Sequence, residues 1–439
     1  MATQLLRLLP LLFFLPVILV RRGASPPPPL QRSRTIGGGG GVPDLYPVVL
    51  LPGATCSQLD ARLTDAYEPP SPRCAAAAPI RGRWFRLWKN STAPQDPGAA
   101  PCLADQLRLV YDPAARDYRN APGVETRVVG FGSTRGFLAD YPADRDLCMG
   151  RLVEALERAG YRDGETLFGA PYDFRQAPAA AGQPCRAFSR FRRRLRALVE
   201  DASARNGGRP AVLVSHSQGG YFALEFLNRS PLPWRRRHVK HFVMASTGAG
   251  GFVLMLRSLA SAAASAAAGG PPLSRVRTSS ASAFTALPSP KVFGGGTPLV
   301  VTRARNYTAR DVPELLAAMG LPPQAVALYE TRALPVALGF RAPVVPTTCV
   351  NGVGVRTMET LVYWDGDFGE DPEVAYGDGD GLINSASILA LDTLIGGDPR
   401  QGYYRSVRIA RTSHAGVISD GAALERVVSE ILEAPAAVE

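Results

Sequence analysis

The sequence around Ser217 has the residue types expected of a nucleophilic serine. Residues 211–215 form a short apolar run, AVLVS, and the segment after Gly219 is typical of a helix to about position 228. A buried strand, a tight turn and a helix present a serine hydroxyl at the end of a strand, and small residues must flank the serine because the turn is strained. Gly219 meets this requirement, whereas Ser215 replaces the usual first glycine. We therefore predict that Ser217 is a nucleophile.

A serine nucleophile needs a general base, and the chain contains four histidines, His216, His238, His241 and His414. His216 adjoins the serine, and the backbone direction should carry its side chain away from the site. His238 and His241 lie at the start of the next strand, where we expect a half-buried structural role. His414 lies in a loop between a strand and the last helix, which is the expected place for the base.

The third member of such a triad is a carboxylate between serine and histidine in chain order, which holds the imidazole in one tautomer. The segment YGDGDGLI supplies Asp378 and Asp380. We choose Asp380, because an aspartate followed by glycine, any residue and isoleucine at a strand end is the usual arrangement; Asp378 stays as the alternative. A calcium loop is excluded, because the alternating ligands stop at Leu382 and no glutamate closes the loop.

Backbone N–H groups are expected to stabilise the developing oxyanion. One should come from Gln218, directly after the nucleophile. The other should come from the loop after the first strong strand, residues 51–55, with Ala54 as the donor. We expect neither a metal nor a cofactor.

The elements that must position these groups alternate between strands and helices. Apolar runs typical of buried parallel strands lie at 46–51, 211–215, 241–245, 298–302, 361–364 and 407–410. Apolar stripes at helical spacing lie in 147–159, 186–200 and 422–432. This alternation predicts a mostly parallel α/β sheet within residues 45–434. A proline-rich stretch at about 55–127 predicts an inserted cap, and a Gly/Ala/Ser-rich stretch at about 248–296 predicts a mobile lid.

Composition excludes several classes of protein. Among 439 residues, 46% are hydrophobic and 20% are charged, which are globular proportions. The net charge of +11 is compatible with anionic surfaces, but no aromatic-interleaved basic stripe or zinc-finger spacing accompanies it, so we expect no nucleic-acid partner. The six cysteines contain no C-x-x-C pair, which excludes metal knuckles and thioredoxin-like sites and leaves about 15 disulfide pairings open if the chain is exported.

The first 22 residues predict export. Residues 5–20 are apolar except for Arg7, are interrupted by two prolines and are followed by two arginines. This is about the length of a signal h-region and short for a span of about 20 residues. We interpret 1–22 as a signal sequence or uncleaved signal-anchor and 23–44 as a Pro/Gly-rich linker. Asn90 and Asn306 lie in glycosylation sequons. We expect a protein of the secretory pathway: secreted, vacuolar or membrane-anchored.

In combination, four segments resemble the lecithin:cholesterol acyltransferase family. They are LLPGATCSQLDARL at 50–63, GAPYDFR at 169–175, the serine turn, and SHAG at 413–416. The similarity runs from about 46 to 434, with LRLVY at 107–111 and NYT at 306–308 in the same order. The resemblance implies an α/β-hydrolase core with a cap and a lid, and an acyl-enzyme on Ser217.

The resemblance also implies a disulfide between Cys74 and Cys102, which would hold Trp84 and Trp88 of the cap near a lipid surface. Cys349 has no evident partner. The implied substrates are phospholipids at a membrane or lipid-particle surface, with the acyl chain passing to water or to an alcohol such as a sterol. We expect a monomer. The sequence leaves hydrolase and transferase open, and the alternative is a noncatalytic lipid-binding protein with the same fold.

Overall fold

A computed structural model describes residues 45–89, 99–138, 142–267, 273–434 and 436. The predicted signal segment and linker, and Asn90, lie outside the described residues. The strands, in chain order, are β1 (Val48–Leu51), β2 (Leu59–Leu63), β3 (Trp84–Trp88), β4 (Leu109–Asp112), β5 (Asp117–Asn120), β6 (Val124–Val128), β7 (Leu167–Gly169), β8 (Ala211–His216), β9 (Val239–Ala245), β10 (Val300–Val301), β11 (Asn306–Tyr307), β12 (Thr347–Val353), β13 (Thr357–Val362), β14 (Glu373–Gly377) and β15 (Tyr404–Ala410).

The described residues also form α-helices. In chain order they are α1 (Pro72–Ala76), α2 (Ala100–Leu107), α3 (Pro142–Leu147), α4 (Gly150–Arg158), α5 (Arg186–Arg205), α6 (Gln218–Asn228), α7 (Leu232–His238), α8 (Leu254–Ala267), α9 (Leu273–Ser279), α10 (Ala281–Thr285), α11 (Pro290–Phe293), α12 (Val312–Ala318), α13 (Pro323–Leu328), α14 (Leu334–Leu338), α15 (Ser385–Leu391), α16 (Gly416–Ser419) and α17 (Gly421–Glu433).

A central parallel sheet organises the fold. Its six strands run in the order β15-β12-β9-β8-β1-β7, and each neighbouring pair is parallel. Helices α5 and α6 pack on one face through residues such as Phe188 and Phe222, and α4 and α17 pack on the other through residues such as Leu152 and Val427. Because both faces are covered, the inner strands β1 and β8 are buried along their whole length. The predicted α/β sheet is confirmed.

Two of the predicted strands belong to a different sheet. The runs at 298–302 and 361–364 form β10 and β13, which pair with each other in a separate four-stranded sheet, β11-β10-β13-β14. Their assignment to the central sheet was wrong, because an apolar run indicates burial but not which sheet buries it. The central strands β7 and β12 were missed. The run at 407–410 lies in β15, an edge strand whose residues alternate in exposure instead of being continuously buried.

The two inserted stretches fold into elements of their own. Residues 55–127 contain the antiparallel sheet β3-β2-β6 and the hairpin β4-β5, around a small core that includes Leu63, Leu87 and Leu103. In the described parts of 248–296, helix α8 packs through Leu256 on the core beneath the four-stranded sheet, and α9 packs through Val276 on the cap core. Mobility of this lid stays a prediction. No helix among the described residues is long and apolar enough to cross a membrane.

Candidate active site

Ser217 occupies a strained turn directly after β8. Its φ is 53° and its ψ is −127°, a conformation that non-glycine residues rarely adopt. Its N–H donates to the carbonyl of Ala245 at the end of β9. A Cβ at Gly219 would lie 2.5 Å from the carbonyl oxygen of Leu51, so this position must be glycine. Ser215, at the place of the usual first glycine, is fully buried and fits the turn.

The structure brings the side chains of Ser217, His414 and Asp380 together. Ser217 Oγ lies 2.9 Å from His414 Nε2, and His414 Nδ1 lies 2.8 Å from Asp380 Oδ2. In the arrangement that this geometry permits, Nδ1–H donates to the carboxylate, so Nε2 is free to accept the serine proton. The carboxylate of Asp380 is completely buried. Burial excludes water from the ion pair that would form when the imidazole gains a proton.

The two candidate carboxylates have different partners. Asp380 Oδ1 accepts the N–H groups of Leu382 at 3.0 Å and Ile383 at 2.6 Å, which aims Oδ2 at the histidine. Asp378 instead accepts backbone N–H groups, including that of Gly354 at 2.6 Å. His414 therefore contacts the carboxylate of Asp380, whereas the carboxylate of Asp378, the alternative, is bonded to the N–H groups of Gly354 and Gly379.

His216 lies against the site, contrary to the expectation that its side chain points away. It is buried, its ring centroid is 5.0 Å from that of His414, and its Nε2 lies 3.3 Å from the carbonyl oxygen of His414. Burial, and then the nearby His414, lower the pKa of His216 to about 3. A neutral imidazole can donate from Nε2 to that carbonyl, so His216 supports the loop that carries His414.

The other two histidines lie at the far end of the sheet. His241 is buried and its Nε2 is 2.9 Å from Thr348 Oγ1; burial lowers its pKa to about 4. His238 ends α7 and packs beside the ring of Trp234. Neither contacts Ser217, as expected of structural histidines.

The loop after β1 lies beside Ser217. A Cβ at Gly53 would be 3.3 Å from Ser217 Cβ, so glycine permits this approach. Thr55 has a φ of 63°, which turns the chain sharply after the exposed Ala54. Gln218 is the first residue of α6, whose first-turn N–H groups have no partner within the helix. The assignment of Ala54 and Gln218 as oxyanion donors stays a proposal.

The GAPYDFR segment and the cap buttress this loop. Tyr172, within that segment, donates its hydroxyl to the carbonyl of Pro52 at 2.8 Å. Trp88, on cap strand β3, donates its indole N–H to the carbonyl of Thr55 at 2.7 Å, and its ring is 5.2 Å from that of Phe174. Sequence analysis missed these roles, because no local periodicity shows that distant segments meet here. Trp88 therefore contacts the loop after β1, and its proximity to a lipid surface stays a prediction.

Arg175 joins the core to the cap and the lid. Its guanidinium is fully buried and donates to Asp173, to the carbonyl of Leu107 at 2.9 Å and to Asn120 at 2.9 Å. Its backbone carbonyl accepts the N–H of Ser282 in the lid. The last residue of GAPYDFR therefore fixes three parts of the chain at one point.

Two disulfides brace the cap and the loop. Cys74 is bonded to Cys102, the pair that the resemblance implies, across a sequence separation of 28. Cys56 is bonded to Cys148 across 92 positions, a bond that the sequence analysis did not identify. The remaining cysteines, Cys349 among them, are buried thiols. Since Cys56 directly follows the strained Thr55, this bond anchors the end of the proposed oxyanion loop.

Of the two predicted glycosylation residues, Asn306 lies within the described residues. Asn306 begins β11 and is exposed. Within the described residues, no group of three or more His, Cys, Asp or Glu side chains could hold a metal ion.

Sequence comparison decides the family. The model of the lecithin:cholesterol acyltransferase family matches residues 84–304. Lecithin-cholesterol acyltransferase-like 1 of Oryza sativa subsp. japonica is 46% identical over 401 residues, which cover 91% of this chain and 89% of that protein. The chain belongs to the lecithin:cholesterol acyltransferase family. Like its relatives, this family member is a lipid acyltransferase or acyl hydrolase.

A second group of relatives is more distant. Lysosomal phospholipase A and acyltransferase of Canis lupus familiaris is 33% identical over 348 residues, covering 78% of this chain and 81% of that protein. Among solved structures, the crystal structure of the Tle4-Tli4 complex matches with a TM-score of 0.52 and 12% identity, over 90% of this chain and 99% of that chain. At that identity the likeness shows the fold alone. The family member has the α/β-hydrolase fold that the resemblance implied.

Proposed function

We propose that this acyltransferase-family protein cleaves an acyl ester of a glycerophospholipid through an acyl-enzyme on Ser217. The contact that carries the proposal is the 2.9 Å approach of His414 Nε2 to Ser217 Oγ, with Asp380 2.8 Å behind the imidazole. The names of the rice and dog relatives support the substrate class: they refer to lecithin and to phospholipase A.

Acylation would proceed in two linked proton transfers. His414 removes the proton of the Ser217 hydroxyl as Oγ attacks the ester carbonyl, and the imidazolium then returns that proton to the leaving glycerolipid alkoxide. Asp380 stabilises the imidazolium by accepting the Nδ1–H. The amides of Ala54 and Gln218 would bind the oxyanion of the tetrahedral intermediate, as expected from a loop that approaches Ser217 within contact distance.

Deacylation would reuse the same residues. His414 deprotonates an incoming hydroxyl group, of water or of an alcohol such as a sterol, as its oxygen attacks the acyl carbonyl. The bond from that carbonyl to Ser217 Oγ then breaks, and the imidazolium returns the proton to Oγ. Hydrolysis and transfer thus differ only in the nucleophile that reaches the acyl-enzyme. Incubation with radiolabelled phosphatidylcholine vesicles, with and without sterol, separates them: steryl ester indicates transfer, and free fatty acid alone indicates phospholipase action.

The serine mechanism is tested with Ser217→Ala. We expect this variant to lose labelling by a fluorophosphonate probe and to lose about 10⁶ in turnover. Ser215→Ala is the matched control, because the buried hydroxyl of Ser215 makes no hydrogen bond among the described residues. Ester cleavage that persists in Ser217→Ala refutes the assignment. Vesicle binding by a wild-type protein that takes up no label would instead favour a noncatalytic lipid-binding protein.

We further propose a monomer that acts at a lipid surface within the secretory pathway. Two disulfides support an oxidising compartment. On the cap, Ile80 is 68% exposed beside the exposed Arg81 and Arg83, a combination suited to phospholipid headgroups. We expect Ile80→Asp to reduce binding to phosphatidylcholine vesicles in co-sedimentation and to leave cleavage of a soluble ester unchanged. Equal vesicle binding by wild type and variant would contradict this contact.

A further inference from the structure

Two adjacent residues directly after β9 form hydrogen bonds to Ser217 and His414. Thr247 donates its hydroxyl to the backbone carbonyl of Ser217 at 2.8 Å. Ser246 donates its hydroxyl to the backbone carbonyl of His414 at 2.9 Å. Ser217 and His414 are separated by 197 positions in the chain. The dipeptide therefore links the nucleophile and the base through bonds to both of their main chains.

The backbone of Ser246 is strained in a way that this link explains. Its φ is 47°, in the left-handed region that favours glycine, although the residue is completely buried. The turn sends the side chains of Ser246 and Thr247 to different carbonyls. A glycine would adopt this φ without strain but would lack the hydroxyl, so the serine keeps a hydrogen bond at a conformational cost.

The approach of Thr247 is close and requires a second glycine. A Cβ at Gly220 would lie 2.3 Å from Thr247 Oγ1, so only glycine in the first turn of α6 admits this hydroxyl. The same carbonyl of Ser217 also accepts the N–H of Gly220, and the N–H of Ser217 donates to Ala245. The end of β9 therefore holds the peptide groups on both sides of Ser217.

We propose that Ser246 and Thr247 are positioning residues that keep Ser217 Oγ within proton-transfer distance of His414 Nε2. The inference rests on the proposed serine mechanism. Both side chains are buried and bond to backbone, so neither is expected to touch the lipid. Removing either hydroxyl should slow the attack of Ser217 and leave substrate binding unchanged, because misplacement of reacting groups raises the barrier of the chemical step.

The test compares Thr247→Val, which keeps the shape but not the donor, with Thr247→Ser, which keeps the donor. The readouts are the rate of fluorophosphonate labelling, and kcat and KM on a soluble ester. We expect Thr247→Val to lower the labelling rate and kcat between about 10- and 100-fold with KM unchanged. Thr247→Ser should restore both rates to within about threefold of wild type, since one neutral hydrogen bond is retained.

Two variants of Ser246 distinguish a positioning role from a purely structural role. Ser246→Ala keeps the strained φ and loses the donor, whereas Ser246→Gly loses the donor and relieves the strain. We expect Ser246→Gly to unfold at a higher temperature than Ser246→Ala, yet to label as slowly. Activity that follows thermal stability across these variants overturns the proposal.

A control and a baseline complete the experiment. Thr302 lies in the turn between β10 and β11, where its hydroxyl donates to the carbonyl of Arg305 at 2.9 Å and accepts the N–H of Arg305 at 3.1 Å. Thr302→Val removes both bonds away from Ser217 and should label like wild type. If wild type labels and Thr247→Val labels equally fast, the positioning role is refuted and the serine mechanism stands. If wild type does not label at all, the proposed function fails, and the positioning role fails with it.

Discussion

The indole N–H of Trp88 donates to the backbone carbonyl of Thr55, 2.7 Å away. The bond connects cap strand β3 with the loop that follows the central strand β1. Thr55 is also the residue whose left-handed φ of 63° turns this loop beside Ser217. The position of the cap and the shape of the proposed oxyanion loop are therefore coupled.

Loss of this coupling should appear in catalysis. Trp88→Phe keeps a ring against Phe174 but removes the N–H donor. We expect it to lower kcat about fivefold with little change in KM, because one neutral hydrogen bond contributes about 1 kcal/mol. Trp84→Phe is the control, because Trp84 is half-buried between the guanidinium groups of Arg62 and Arg127. Equal kcat values for the two variants would argue against the coupling.

The two neighbouring aspartates should differ in effect. Asp380→Asn changes the partner of His414 Nδ1 and favours the wrong tautomer, so we expect kcat to fall about 10⁴-fold. Asp378→Asn should change kcat little, because the asparagine oxygen can accept the same backbone N–H groups. Steady-state ester hydrolysis measures both, and a larger loss in Asp378→Asn would reverse the assignment.

Arg175 should matter for stability more than any exposed arginine. Arg175→Met removes the guanidinium group that pairs with Asp173 and donates to the buried carbonyl of Leu107, and we expect a loss of about 3–5 kcal/mol in the free energy of unfolding. Arg119→Met is the control, since Arg119 is 60% exposed and 3.4 Å from Asp112. It should change the free energy of unfolding by less than about 1 kcal/mol. Urea titrations followed by tryptophan fluorescence measure both, and similar midpoints would contradict the expectation.

Acid should destabilise the protein through its buried histidines. The pKa of His216 is lowered to about 3 and that of His241 to about 4, while an unfolded histidine titrates near pH 6.5. Above that pH both states are neutral and the histidines contribute no pH dependence. Below it the unfolded state binds protons that the folded state excludes, so the free energy of unfolding falls by roughly 1.4 kcal/mol per pH unit for each histidine.

This dependence can be assigned to one residue. We expect His241→Gln to reduce the slope of the free energy of unfolding against pH by roughly 1.4 kcal/mol per unit between about pH 6 and 4. Urea unfolding at a series of pH values measures the slope. An unchanged slope in His241→Gln would show that His241 does not titrate in this range.

The two disulfides should be separable by activity. Replacing either pair by serine should lower the free energy of unfolding by about 4 kcal/mol, because each bond closes a loop of tens of residues. Replacing Cys56 and Cys148 should also lower kcat on a soluble ester, since Cys56 follows the proposed oxyanion loop. Replacing Cys74 and Cys102, which lie in the cap, should leave that kcat near wild type. Equal kcat values for the two double variants would contradict this distinction.

The sequence predicted the type of an element where the residues of that element show a clear apolar pattern. Strands β1, β8 and β9 contain the mostly apolar runs 46–51, 211–215 and 241–245, and helices α4, α5 and α17 have apolar stripes at helical spacing, so their types were predicted. The order of Ser217, Asp380 and His414 along the chain could likewise be interpreted as a triad, because each residue stands at a recognisable strand end. The family was identified from segments of specific composition and is confirmed by comparison.

Features that join distant segments were not visible in the sequence. Strand β12, with the sequence TTCVNGV, contains two threonines and an asparagine, yet it is a central strand with Asn351 fully buried. Its neighbours, and not its own residues, determine that burial. Three other features were missed for the same reason, namely that they depend on contacts between distant segments. They are the pairing of Cys56 with Cys148, the contact of His216 with His414, and the separate sheet of β10 and β13.

The amino-acid sequence alone determined which residue types are available, in what order, and what local backbone each prefers, because these depend on neighbours a few positions away. Only the tertiary structure decided which strand ends converge and which hydroxyls reach which carbonyls. Those relations depend on the path of the whole chain: parallel strands bring Ser217 and His414 within 2.9 Å, and the end of β9 between them supplies Ser246 and Thr247.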